Sequence, residues 1–217
     1  IVGLLGHNGA GKTTTLKVLT GYLEPTEGRV KIAGMDIEKF REDIQQKLGY
    51  LSESSPLYPD MPVWQYLSYV AELRSVPEHQ RDQAMRDALQ ATSMLDKAMD
   101  PIHTLSKGYQ QRLGVTQAII HKPDILVLDE PTNGLDPTQI FSMRKLIKDL
   151  AKTSTVIIST HIMQEVEAIC DRVIIILDGR VPKQPPEWIC IVGVERTEGV
   201  LSFANNLFGH HGIIKDF

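Results

Sequence analysis

Short apolar runs and amphipathic stretches alternate along this chain, and their spacing sets the expected elements. Residues 1–5 form an apolar run, followed by a glycine-rich turn and a helical pattern from Lys12 to about Thr20. Residues 28–33 predict a short strand between turns, and residues 37–47 a helix. From about Pro56 to Met99 β-branched runs are few; Leu67, Val70 and Ala71 recur at helical spacing, as do Met85, Ala88 and Leu89. The expectation is a helical subdomain over about residues 56–115, inserted into an α/β core.

The second half returns to alternation. Residues 125–128 are apolar throughout, the pattern of a strand covered on both faces in a parallel sheet. Asp136-Pro137 predicts a helix start, with Asp as N-cap and Pro at the first helical position. Ile140, Phe141, Leu146, Ile147 and Leu150 are expected on its buried face. A strand at 155–159, a helix around 163–170 and a strand at 173–177 ending at Asp178-Gly179 follow. The fold class is therefore α/β with a mainly parallel sheet.

Composition narrows this picture. Apolar residues make up 42% of the 217 and charged residues 23%, the balance of a globular chain. A net charge of −4 counts against a protein that grips nucleic acid, because phosphate neutralisation needs surplus Lys and Arg. The two cysteines, Cys170 and Cys190, cannot build a disulfide scaffold, and they are read as reduced thiols. His210-His211 is too isolated to read as a metal site. No apolar stretch approaches the roughly 20 residues that span a bilayer, so any membrane link is expected to run through a partner. Because the chain opens on Ile1 inside an apolar run, it is expected to be a fragment with upstream strands missing.

Candidate chemistry concentrates in three places. Gly6, His7, Asn8, Gly9, Ala10, Gly11, Lys12 and Thr13 fit G-x-x-x-x-G-K-[ST], with a strand before and a helix after. Such a loop turns its backbone N–H groups into one anion-binding hollow, and the helix adds its positive end. Lys12 can reach β- and γ-phosphates, and the Thr13 hydroxyl can ligate Mg²⁺. Asp129-Glu130 follows an apolar strand, so both carboxylates are expected on the ligand side of the sheet. Asp129 is suited to the Mg²⁺ shell, and Glu130 to polarising the water that attacks a γ-phosphate. Ser106 opens a helix running to about Ile120, giving a second anion-facing helix end.

With these motifs in order, the chain resembles the ATP-binding cassette (ABC) ATPases. GHNGAGKTT, which includes Thr14, looks like Walker A, LSKGYQQR like the signature, and ILVLDEP like Walker B. NGLDP is similar to the D-loop, and Ser159-Thr160-His161 to the switch-histidine segment. The resemblance covers about residues 1–179 and implies a P-loop NTPase that binds ATP with Mg²⁺ between two cassettes facing head to tail. It implies that Ser106 and Gly108 contact the partner's nucleotide, that His161 bonds the γ-phosphate, and that Asp136 crosses the dimer interface. It further implies a separate transmembrane permease subunit, export as the direction of transport, and a place on the cytoplasmic face of the membrane. The stretch SESSPLYPDMPVWQYL resembles the permease-contacting segment, with Tyr58, Met61 and Trp64 expected to face a docking groove.

The resemblance has departures. Glu53 stands where the family usually has a Gln that senses Mg²⁺ and the attacking water, and a carboxylate can still engage the ion. Lys107 and Tyr109 replace the commonest signature residues while Ser106 and Gly108 remain. The upstream aromatic that stacks on adenine lies outside the chain. Residues 181–217 read as a divergent tail of unassigned role, beginning with the proline-rich stretch 182–188. Two other classes compete: soluble ABC ATPases acting on DNA or ribosomes, and modules that bind ATP only to dimerise. With 93 residues between Lys12 and Ser106 and no heptad run, the long coiled coil of the DNA-acting members has no room, and the ribosome-acting members carry two cassettes in one chain where this chain resembles one. Glu130 speaks against the second.

Overall fold

The computed structural model describes residues 1–54 and 56–182. Apart from Val181 and Pro182, the expected tail, with Cys190 and the His210-His211 pair, lies outside the described residues. The elements run β1 (Val2–Leu5), α1 (Lys12–Leu19), β2 (Lys31–Ile32), β3 (Met35–Asp36), α2 (Arg41–Lys47) and β4 (Leu48–Leu51). Then come α3 (Val63–Leu73), α4 (Glu78–Ala91), α5 (Lys107–Ile119), β5 (Ile125–Asp129), α6 (Pro137–Leu150), β6 (Thr155–Thr160), α7 (Met163–Ile169) and β7 (Arg172–Ile175). The chain divides into two compact units, Ile1–Gln45 with Val156–Phe217, and Gln46–Thr155.

In the first unit β1 lies between two parallel neighbours. Its register runs from Val2↔Ile157 to Leu5↔Thr160 on one side and from Val2↔Arg172 to Leu5↔Ile175 on the other. Helix α7 covers the sheet through Val166, which is buried with Leu5, Val173 and Ile175, and Cys170 packs alongside. Burial pushes the Cys170 thiol up to about 12, so it stays protonated.

Two expected elements change here. The strand anticipated at 28–33 shrinks to β2, which pairs with β3 around Ala33-Gly34. Both turn residues have positive φ (50° and 80°), as a tight type I′ hairpin turn requires. The helix anticipated from Ile37 starts at Arg41. Ile37 instead donates its N–H to Val30 O at 3.0 Å, extending the hairpin, and the Asp36 carboxylate accepts the Glu38 N–H at 3.1 Å. That side chain offers the backbone a turn in place of the first helical bonds.

In the second unit β4 and β5 pair in parallel, from Leu48↔Ile125 to Leu51↔Leu128. Helix α3 buries Val63, Tyr66, Leu67, Val70 and Ala71, and α4 buries Ala84, Met85, Ala88 and Leu89. These i, i+3, i+4 stripes meet Met94, Ile102, Leu113 and Ile120 in one core. Trp64 and Met61 are partly buried against that core, with the Arg86 guanidinium 5.4 Å from the Trp64 ring centre, while Tyr58 is exposed. On α6 the buried residues are Met143, Leu146 and Ile147, and Phe141 is 71% exposed. Phe141 was expected inside, but it sits about 200° around the helix from Met143 at 100° per residue.

The threonine hydroxyls inside this core pair with one another. Thr92 and Thr116, both fully buried, lie 2.8 Å apart, and Arg112 donates to Thr92 O at 2.8 Å. At the end of α5, the His121 ring nitrogen Nε2 lies 3.0 Å from Leu48 O, which makes it the donor. Burial and the nearby Arg74 charge lower the His121 pKa from about 6.5 to about 4.

The sign of that shift sets a pH window. Between about pH 6.5 and 4 the unfolded chain takes up a proton on this ring that the folded chain refuses, so stability falls as pH falls. Substituting His121→Gln keeps a donor for Leu48 O and removes the titration. Urea midpoints at pH 7 and pH 4.5 should then differ less in the variant than in the parent; equal differences would remove His121 as the cause.

Candidate functional site

The first unit holds the glycine-rich loop at the carboxyl end of β1. Strand register delivers Gly6 there, and its N–H donates to Thr160 O at 3.3 Å. A Cβ on Gly6 would meet Ile176 O at 2.5 Å, so only glycine lets the chain leave the strand beside β7. His7, Asn8 and Gly9 form the exposed crown, and Ala10 folds back, donating its N–H to His7 O at 3.1 Å. Gly11 caps α1 at φ 98° with no side chain over the helix end.

The first helical bond of α1 is Thr15 N–H to Gly11 O at 2.9 Å. The N–H groups of Lys12, Thr13 and Thr14 therefore precede any helical acceptor and belong to the open, positive end of the helix. Lys12 is buried and bends back over its own loop, with Nζ 2.8 Å from Gly6 O and 3.2 Å from His7 O. Its ammonium is thus held by loop carbonyls at the point where the loop turns.

The ends of β6 and β7 both reach this loop. His161 follows β6 directly and is exposed, and the Ile162 N–H donates to Thr160 Oγ1 at 3.1 Å, which redirects the chain there. Asp178-Gly179 arrives after β7: the Gly179 N–H donates to Ala10 O at 3.0 Å, and His7 Nε2 lies 3.2 Å from Asp178 Oδ1. The sequence shows Asp178-Gly179 as a strand-ending turn, and nothing in its local pattern signals that it braces the loop.

The second unit holds the carboxylates and the second helix end. Asp129, fully buried, ends β5, and Glu130 is 5% exposed with φ at 49°. A left-handed conformation in a non-glycine residue costs about 1–3 kcal/mol and persists only where surroundings impose it. Here Asn133 donates its N–H to Glu130 O at 3.1 Å, and Gln111 of α5 reaches the same carbonyl at 3.5 Å. Glu53 lies two residues beyond β4, at the same end of the β4–β5 pair. Its exposed carboxylate accepts from Asn133 Nδ2 at 3.3 Å.

Ser106 caps α5 with its carbonyl, accepting the Gln110 N–H at 2.9 Å, while its hydroxyl makes no capping bond. The residue is exposed, and Gly108 is buried. Asp136 starts α6 through a full capping box: its Oδ1 accepts the Gln139 N–H at 2.9 Å, and Gln139 Oε1 accepts the Asp136 N–H at 3.4 Å. Asp-Pro announces that cap in the sequence, and the matching Gln three residues on was legible by the same rule. The structure thus groups Gly6–Thr14 with His161 in one unit, and Glu53, Ser106, Gly108, Asp129, Glu130 and Asp136 in the other.

The family profile described as ABC transporter matches residues 1–133. The chain is 36% identical over 201 residues to an uncharacterized ABC transporter ATP-binding protein, YdbJ, of Bacillus subtilis, covering 91% of this chain and 62% of that one. It is 37% identical over 188 residues to the bacitracin transport ATP-binding protein BcrA of Bacillus licheniformis, covering 86% and 60%. The chain therefore spans less than two thirds of these relatives' length. Among solved structures, CbiO1 of Clostridium perfringens, part of the ABC transporter complex cbiONQ, superposes with TM-score 0.77 at 28% identity over 94% of this chain and 82% of that one. The dimeric cassette MJ0796 gives TM-score 0.75 at 25% identity over 84% and 83%. On the extent of these matches, the chain belongs to the ABC transporter family, among its ATP-binding subunits.

Proposed function

We propose that this chain is the ATP-hydrolysing cassette of a transporter that exports its cargo through a separate membrane subunit. The observation that carries the reading is Glu130, almost wholly buried, held in a strained backbone conformation directly after a buried Asp129. Strain of that kind collects where a side chain must be aimed. The loop of the first unit supplies the phosphate-binding half: backbone N–H groups of residues 6–14 and the Lys12 ammonium suit the β- and γ-phosphates.

The donor set also fits Mg²⁺. Among the described residues no cluster of three or more His, Cys, Asp or Glu could hold a metal alone. Mg²⁺ in nucleotide sites takes one or two carboxylates, a hydroxyl, water and phosphate oxygens. Thr13, Asp129 and Glu53 would hold it, and the ion would neutralise charge on the transferring phosphoryl group. In this reading Glu130 orients and polarises the attacking water, and His161 bonds the γ-phosphate. Ser106 and Gly108 serve the nucleotide of a second cassette, and Asp136 crosses to that partner.

Relatives support the assembly. One solved relative is a dimeric cassette and another is part of a transporter complex, and a relative by sequence is named for bacitracin transport. No helix among the described residues is long and apolar enough to cross a membrane; in this reading a permease subunit supplies the pathway for cargo. The cassette would work at the cytoplasmic face, where ATP-driven closure of two copies rocks the membrane part. Nucleic acid is not a partner in this reading.

Two substitutions test it. Glu130→Gln should lower phosphate release by about 10²–10⁴-fold while an ATP-bound dimer accumulates on light scattering; equal, negligible turnover in parent and variant would remove hydrolysis from the proposal. Glu53→Gln should leave dimerisation intact and raise the Mg²⁺ concentration for half-maximal turnover about tenfold. An unchanged Mg²⁺ titration would take Glu53 out of the metal shell.

A further inference from the structure

The first turn of α5 and the first turn of α6 touch through one side chain. A Cβ on Gly108 would lie 2.7 Å from Gln139 Cδ, 2.8 Å from Nε2 and 3.0 Å from Oε1. The Gln139 amide therefore lies flat on the bare Cα of Gly108. The same amide oxygen accepts the Asp136 N–H, and the Gln139 N–H in turn binds the Asp136 carboxylate. Next to this contact lies a cleft of about 280 Å³ lined by Tyr109, Arg112, Leu135, Ser142 and Met143. An amide displaced from Gly108 has that cleft to enter, at the expense of its bond to Asp136.

From this juxtaposition we infer that Gln139 is a positioning residue that ties Gly108 to the Asp136 cap, so that the two elements proposed to meet the partner cassette move together. The absence of a side chain at 108 is then explained inside the chain: glycine leaves the space that the Gln139 amide fills. The inference deepens the proposed function and rests on it for the identity of the partner. The tether itself is a property of the single chain.

The sign of one substitution separates coupling from ordinary helix stability. Alanine is the better helix former by about 1 kcal/mol, so Gly108→Ala with free space around it would firm up the first turn of α5. With the Gln139 amide in place, the new methyl must push that amide away and loosen Asp136. Hydrogen exchange in the nucleotide-free full chain reads this directly. The expected result is about tenfold faster exchange at the Asp136 amide in Gly108→Ala, with no such acceleration when Gly108→Ala is made on Gln139→Ala. Unchanged Asp136 exchange in Gly108→Ala, or equal acceleration in both backgrounds, overturns the tether.

A second arm reads the functional consequence in chains carrying Glu130→Gln. Gln139→Ala should weaken ATP-dependent dimerisation about tenfold while ATP affinity of the monomer and its melting temperature stay put. Gln139→Glu, which keeps an acceptor for the Asp136 N–H and the bulk over Gly108, should restore dimerisation. A loss of dimerisation that only tracks a fall in melting temperature marks a structural role and overturns the positioning claim. If Glu130→Gln alone forms no ATP-dependent dimer, the transporter reading fails, and the exchange measurement still decides the tether by itself.

Discussion

The parallel register of β1 with β6 and β7 is the constraint on which the phosphate loop depends. Leu5 stands opposite Thr160 and Ile175, so all three chains leave the sheet at the same level. Parallel strands deliver their carboxyl ends to one edge, and that edge is where backbone can be spent on binding. Each neighbour then contributes to the loop. Thr160 accepts the Gly6 N–H, the end of β7 crowds Gly6 so closely that no Cβ fits, and Gly179 donates to Ala10 O. A shift of one residue in the β6 pairing would move Thr160 O away from the Gly6 N–H, and a shift in the β7 pairing would move the end of β7 away from Gly6.

The same logic operates on the β4–β5 pair, with charge as the added difficulty. Burying Asp129 and Glu130 beside an apolar strand is costly unless each carboxylate is offset by bonds or a cation. The chain fixes the backbone around them: Asn133 and Gln111 both converge on Glu130 O. Gln111 comes from α5, three residues after Gly108, so the helix that presents Ser106 also steadies the proposed base. The Asn133 side chain donates to Glu53 as well, which places one residue between two acidic positions. A short loop after β5 thereby bonds the backbone of Glu130 and the carboxylate of Glu53, two of the three acidic residues that the proposed chemistry uses.

Much of this was legible because the informative features are local. The loop motif follows from glycine spacing, β5 from an unbroken apolar run, and the start of α6 from Asp-Pro, since each signal lies within a few residues of its consequence. The differences arise where a distant or competing interaction decides. Ile37 joins a hairpin because Val30 O and the Asp36 carboxylate outcompete the first helical bonds. Phe141 lies exposed because Met143 occupies the inward position, and apolar type alone does not distinguish them. Asp178-Gly179 and Gln139 act through contacts with Ala10 and Gly108, at separations no periodicity reports.

The two helix ends proposed to face phosphate are supported in different ways, and the difference bears on how two cassettes would cooperate in that reading. The end of α1 is self-contained: Lys12 binds carbonyls of its own loop, and its braces come from strands in the same register. Its bonds lie within its own unit, and such preorganisation would favour the nucleotide capture proposed for it. The end of α5 is cross-tied instead, through Gly108 to Gln139 and the Asp136 cap, and through Gln111 to Glu130. A partner's phosphate pulling on Ser106 would therefore load the same helix that touches the backbone of the proposed base. Within the second unit the Gln139 amide is the link that ties the end of α5 to the Asp136 cap.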